Sequence, residues 1–196
     1  MGLNLHRERF TDWLEGFDAD TRADFLAKLE KHVGQKLDVD VWQVQDDAYP
    51  RVGSYTSYDV FRRCLQYLTR GDYQAELDQA DDVDLEALKD FRAQLKPASL
   101  KVPYAAHFLD SGDTDTIFIP VLFRYPFTYA ECFVASLPGA TKALEAFGRG
   151  LAFDLNATED IEVEDGTWLP VSTAKNVARL LYGFFTQKPD ACVALS

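Results

Sequence analysis

A chain of 196 residues with 47% hydrophobic and 13% aromatic residues is long and apolar enough to bury one core, so we expect a single globular domain over 1–196. The formal net charge is −12, and most of it lies in residues 71–196, which carry 20 Asp+Glu against 10 Lys+Arg. This charge repels phosphate backbones and attracts basic partners, which argues against binding of nucleic acid.

The compartment follows from what the sequence lacks. No apolar run approaches the roughly 18 residues of a membrane span, and charged residues follow the N-terminus where a secretory signal has its apolar region. The three cysteines are far apart in sequence and form no C-x-x-C pair, so we expect buried thiols rather than disulfides or a zinc ribbon. We therefore expect a cytoplasmic protein that does not bind membranes.

The first 34 residues have the pattern of a helical hairpin. Apolar residues recur at helical spacing over 5–17, and a second apolar stripe over 25–33 ends at Gly34. The pattern leaves open whether this hairpin lies at the periphery or packs on the core. Strict alternation over 38–45 then predicts a strand.

Two helices are predicted in the middle of the chain. Apolar residues from Val60 to Leu68 form one helix face, which ends at Gly71, and Arg62 and Arg63 fall on the opposite face. A second apolar stripe over 85–95 predicts another helix inside an acidic stretch.

The C-terminal half mixes strands and helices. Residues 116–123 are typical of a buried strand, although Pro120 implies an edge or a bulge. Residues 128–136 fit a strand or a capped helix, and we favour the strand. The remaining segments, in chain order, are predicted as a helix after Pro138-Gly139, a hairpin over 161–169, a helix over 172–186 and a strand over 191–195. We expect an α+β fold with a mixed or antiparallel central sheet packed by about five to six helices.

The loop that starts at His107 is the densest in reactive groups. An imidazole precedes the turn that contains Asp110, Ser111 and Asp113. These residues could form a hydrolytic site. His107 would be the base, Ser111 or a water would be the nucleophile, and either aspartate would orient the imidazole. The same residues also suit a plain turn, because Asp and Ser side chains bind nearby backbone groups.

Metal sites and cofactors find no support in the sequence. An EF-hand counted from Asp110 would place Gly112 third and Val121 twelfth, where a calcium loop needs an oxygen ligand and a bidentate Glu. The three histidines lack zinc-binding spacing, and no dinucleotide, kinase or haem motif is present. We therefore expect no metal and no cofactor.

Tyr55, Arg62 and Arg63 form a second candidate site. Free N–H groups at the start of a helix bind anions, and nearby hydroxyl groups assist. The segment lacks the phosphate-loop pattern, so a serine or threonine cap with solvated arginines is the simpler interpretation.

Two functional hypotheses remain. The first is an acidic binding or regulatory protein, for example an immunity-type neutraliser of a basic toxin or enzyme, that uses the acidic segments 72–90 and 154–165. Four aromatic residues are candidate anchors for it, namely Trp42, Tyr49, Tyr55 and Tyr58. The second is a small hydrolase or other enzyme centred on His107, and the sequence does not decide between the two.

Overall fold

The computed structural model describes residues 2–46, 50–71, 102–110, 116–157 and 170–196. Within them, the α-helices are α1 (Phe10–Trp13), α2 (Ala19–Val33), α3 (Tyr55–Arg70), α4 (Ala106–Leu109), α5 (Leu137–Gly150) and α6 (Pro170–Gln187). Two 3₁₀ turns are described, Leu14–Gly16 and Val39–Val41. The strands are β1 (Gly2–Arg7), β2 (Arg51–Ser54), β3 (Thr116–Ile119), β4 (Phe127–Tyr129), β5 (Cys132–Ser136) and β6 (Val193–Leu195).

The strands form one mixed sheet in the order β2-β1-β6-β3-β5-β4. Neighbouring strands are antiparallel except β3 and β5, which run parallel with Ile119 opposite Ser136. Because β5 separates β3 from β4, the connection over 120–126 passes across the C-terminal end of β5 to reach the edge of the sheet. The fold is therefore α+β, as the sequence predicts.

The sheet carries a hydrophobic core on each face. Side chains alternate along β3, so that Phe118 joins the core under α3, α5 and α6, while Ile117 and Ile119 join the core under α1 and α2. All three are fully buried, as the apolar run in the sequence predicts, and Pro120 lies directly after the strand. The result is three layers, with helices on both faces of the sheet.

Helices α2 and α3 begin and end where their local signals lie. The Ser54 side chain accepts the N–H of Ser57 and caps α3, and Gly71 ends α3 in the left-handed conformation at φ 79°.

The face of α3 that the sequence predicts to be polar and solvated is in fact partly buried, because Arg62 is fully buried and Gln66 is 4% exposed. This helix is covered on several sides, since it contacts α4, α5, α6 and two strands.

The first predicted helix of the N-terminal hairpin, over 5–17, is wrong at its start and is helical only from Phe10 to Gly16. Gly2–Arg7 is a strand that lies between β2 and β6, and Leu3 and Leu5 point together into the α3 core. The two-residue period of Leu3 and Leu5, which is that of a strand, accounts for this. The second half is a helix as predicted, with an Asp18 cap and Gly34 at φ 82°.

Residues 38–45 do not form the predicted strand. Val39–Val41 is a 3₁₀ turn, which buries Trp42 against Phe10 and leaves Val41 64% exposed. Residues 128–136 do belong to strands, since β4 and β5 form a hairpin around Ala130, which has φ 51°.

Several predicted features lie outside the described residues: the helix over 85–95, the hairpin over 161–169, the acidic segment 72–90 and most of 154–165. In the described part, no helix combines the length and the apolar character needed to cross a bilayer. The cysteines Cys64, Cys132 and Cys192 are free thiols, two of them buried.

Candidate functional site

The candidate site lies where the parallel strands β3 and β5 both end. Helix α4 brings His107 to this edge, and the junction of β5 with α5 brings Ser136. The connection over 120–126 passes across the same place. Ligands of open α/β sheets often bind at the carboxyl ends of parallel strands, so a binding or catalytic site is expected at this edge.

Both ring nitrogens of His107 are bound to backbone groups. Nε2 lies 3.0 Å from the carbonyl oxygen of Phe123, and Nδ1 lies 3.3 Å from the backbone nitrogen of Ser136. The carbonyl can only accept and the N–H can only donate, so the ring carries its proton on Nε2. His107 is fully buried, and the Phe123 ring packs edge-on at 5.3 Å between ring centres.

Burial lowers the pKa of His107 from 6.5 to about 4, against an opposing effect of the hydrogen bond to Phe123. The nearby His32 lowers the pKa further. The imidazole is therefore neutral at pH 7, and in this arrangement it joins α4, β5 and the 120–126 connection. No ring nitrogen is left to accept a proton from a substrate or a water.

Ser136, whose backbone N–H contacts His107, also caps helix α5. We call His107, Ser136 and Gly139 the His107 cluster. Its hydroxyl donates to the carbonyl of Val121 at 2.7 Å and accepts the N–H of Gly139 at 2.9 Å. The backbone of Ser136, at φ −80° and ψ 116°, is extended, without the strain of a nucleophile elbow. A serine followed by Pro138 and Gly139 is a recognisable start of a helix, so the sequence contained this signal.

Gly139 allows the side chains of His107 and Ser136 to pack against the backbone of α5. A Cβ atom built on it would lie 2.9 Å from Cδ2 and Nε2 of His107 and 2.9 Å from Oγ of Ser136. Such distances are essentially never seen for real Cβ atoms, so only glycine allows α5 to start this close to the imidazole.

The structure describes two of the four residues predicted for a hydrolytic site. His107 is placed as above, and Asp110 is half-buried at the C-terminal end of α4, with its N–H donating to the carbonyl of Ala106 at 2.8 Å. Ser111 and Asp113 lie outside the described residues.

The three residues predicted for an anion site, Tyr55, Arg62 and Arg63, make different contacts in the structure. Arg62 is fully buried, lies 3.3 Å from the carboxylate of Asp59 and reaches the carbonyl of Leu109 at 3.4 Å. Its guanidinium therefore fastens α3 to the end of α4, two residues after His107. Arg63 is half-buried and Tyr55 packs at the rim of the core, while the Ser54 cap already occupies the N–H of Ser57.

The predicted aromatic anchors are mostly internal. Trp42 is 7% exposed and Tyr58 is 1% exposed, while Tyr55 is half-buried and Tyr49 lies outside the described residues. Both buried rings pack in the cores, which leaves Tyr55 as the accessible member of the set within the described part.

An open cavity of about 420 Å³ lies away from His107. It is lined by the end of α5, by residues 152–156 and by Tyr182, and its charged groups are Glu145, Arg149 and Asp154. Among the described residues, no group of three or more His, Cys, Asp or Glu side chains is arranged to hold a metal ion.

The chain matches no protein-family model, no curated protein and no solved structure.

Charge is divided unevenly along the sequence. Residues 72–90 and 154–165 carry 14 Asp+Glu against one Lys, Lys89. The remaining residues carry 18 Asp+Glu against 19 Lys+Arg. The excess of acid in the chain therefore belongs to these two segments.

Proposed function

We propose that this protein acts by contact with a basic protein partner, as an immunity-type neutraliser or regulator would. The observation that carries the proposal is the charge distribution along the sequence: residues 72–90 and 154–165 carry 14 Asp+Glu against one Lys, and the rest of the chain carries 18 against 19 Lys+Arg. Charge concentrated in this way raises association rates with cationic surfaces and favours one sign of partner over the other.

The described residues that precede the two acidic segments are connected to each other through α5. Residue 72 follows α3, whose Leu68 side chain contacts Gly150 at the end of α5. Residue 158 follows the loop after α5, which is held to α6 by a 3.3 Å hydrogen bond from Arg179 to the carbonyl of Asp154. The described residues that precede the two segments therefore lie at the same end of the helix layer.

The backbone contacts of both His107 ring nitrogens also favour a role in protein binding over a role in hydrolysis. A general base needs a nitrogen that can take a proton near neutral pH, and here burial and two backbone contacts oppose that role. We place the interaction in the cytoplasm, for which the free, mostly buried cysteines are the supporting feature.

Co-purification from the native cell at low and high salt tests the proposal. We expect a stoichiometric basic partner that is retained at 50 mM salt and lost at 500 mM, because exposed charge pairs are screened within about 10 Å at 0.1 M salt. With the partner purified, a triple change of Asp81, Asp82 and Asp84 to Asn should weaken binding about ten-fold or more. Matched changes at the exposed Glu131 and Asp190, to Gln and Asn, should leave the affinity within two-fold.

Two results would contradict the proposal: a partner that is acidic or neutral, or an affinity that responds neither to salt nor to the triple change. If purified protein instead shows a hydrolytic activity that His107→Ala abolishes without unfolding the chain, the enzyme hypothesis is the better one.

A further inference from the structure

The 3₁₀ turn at Val39–Val41 presents the apolar side chain of Val41 to solvent, and the same short segment carries the exposed acids Asp38 and Asp40. Side chains three residues apart lie on the same side of a 3₁₀ turn. Val39 and Trp42 accordingly face the core, whereas Asp38 and Val41 face outward together with Asp40. Val41 is 64% exposed, the highest value for a large hydrophobic residue in the described part.

The 3₁₀ turn that carries Val41 packs on aromatic side chains. The turn packs against α1, where Trp13 is half-buried and stacks on Phe10 at 5.6 Å between ring centres. Phe10 in turn meets the Trp42 ring edge-on at 5.4 Å. The turn is therefore held by aromatic packing. This packing reduces the entropic cost of ordering the turn when Val41 binds a partner.

The charge around Val41 is not neutralised from within the described part. Asp38 and Asp40 are exposed, and neither has a described cation within 4.0 Å. The nearest cation along the chain, Lys36, is bound to Glu30. An apolar anchor with an uncompensated acidic rim has the composition of an interface with a cationic surface.

We propose that Trp13, Asp38, Asp40 and Val41, together the Val41 surface, dock the basic partner protein. Val41 enters an apolar socket on that partner, and the two carboxylates face Lys or Arg side chains around the socket. This inference rests on the proposed function and specifies which part of the fold makes the contact. Charge complementarity selects the occupant, because carboxylates without a described cation attract Lys or Arg side chains and repel another acidic surface.

Site-specific photo-crosslinking tests the proposal in the native cell. A p-benzoylphenylalanine residue in place of Val41 should crosslink to a protein of basic isoelectric point, identified by mass spectrometry. The same residue in place of Leu180, which is 45% exposed on α6 across the sheet, should not. The crosslinked protein is then purified and its dissociation constant measured with the unmodified chain.

Matched variants give the quantitative result. Val41→Ser should weaken binding about ten-fold, as expected for loss of a central apolar anchor, whereas Leu180→Ser should change it less than two-fold. Asp40→Lys should weaken binding more at 50 mM than at 300 mM salt, while Glu131→Lys on the β4–β5 turn should have little effect.

The outcomes separate this inference from the proposed function. No crosslink at position 41, a crosslink to a second copy of the chain, or a crosslink to an acidic protein overturns the Val41 surface. If a basic partner crosslinks from positions in 72–90 but not from position 41, the Val41 surface is wrong and the proposed function stands. If no basic partner is captured from any position, both fail.

Discussion

Acidification from pH 7.5 to 4.5 should weaken the fold chiefly through His107. In the unfolded chain its imidazole takes up a proton near pH 6.5, whereas burial keeps it neutral in the folded protein down to about pH 4. The unfolded state therefore binds more protons than the folded state between these two values. The stabilising contribution is fully present above pH 6.5 and is lost as the pH falls towards 4.

The magnitude follows from the difference in pKa between the two states. With values of 6.5 and about 4, proton linkage predicts that the free energy of unfolding falls by about 2–3 kcal/mol between pH 7.5 and pH 4.5. The structural cause is specific: protonation of Nδ1 would direct a second N–H at the backbone N–H of Ser136. The folded protein accepts this proton only by giving up the contact.

Urea unfolding followed by tryptophan fluorescence from pH 7.5 to 4.5 measures the effect. His107→Gln should be less stable at pH 7.5 by about 1–3 kcal/mol, because buried backbone groups lose a partner. It should also lose most of the pH dependence in this window. His32→Gln is the matched control, since His32 also contacts a backbone carbonyl, that of Tyr125 at 2.8 Å, but from an exposed position.

A flat pH profile in the unaltered protein would refute this reasoning. So would a His107→Gln variant that keeps the full slope, because the proton uptake would then belong to another group.

Other substitutions test the packing around the same edge. Gly139→Ala should lower stability by about 1–3 kcal/mol, since its Cβ would meet the pinned His107 ring at 2.9 Å. Gly183→Ala on α6 should instead raise stability by up to about 1 kcal/mol, because nothing lies within 4 Å of the new atom; equal shifts in Tm for the two variants would contradict the geometry. Ser136→Ala should cost about 2 kcal/mol in urea unfolding, against about 1 kcal/mol for Ser54→Ala, because only the first also leaves the partly buried carbonyl of Val121 without its donor. Similar losses for both serines would mean that the hydrogen bond to Val121 contributes little.

The sequence by itself determined the features that depend on neighbours in the chain. The start of α2 at Asp18 and the ends of α2 and α3 at Gly34 and Gly71 are local signals, because a cap binds N–H groups within three residues and a left-handed glycine ends a helix where it stands. The buried strand at Thr116–Ile119 also followed from its composition alone. These features led to the correct fold class.

Only the tertiary structure decided the features that depend on distant partners. Gly2–Arg7 is a strand because β2 and β6 lie on either side of it, and Arg62 is buried because α4 covers it. Val41 faces solvent because Trp42 packs on Phe10, which breaks the alternation that predicted a strand. His107 shows the principle most directly: its partners lie 16 and 29 residues away, so the chemistry of an imidazole was visible in the sequence, but the contacts that hold it neutral were not.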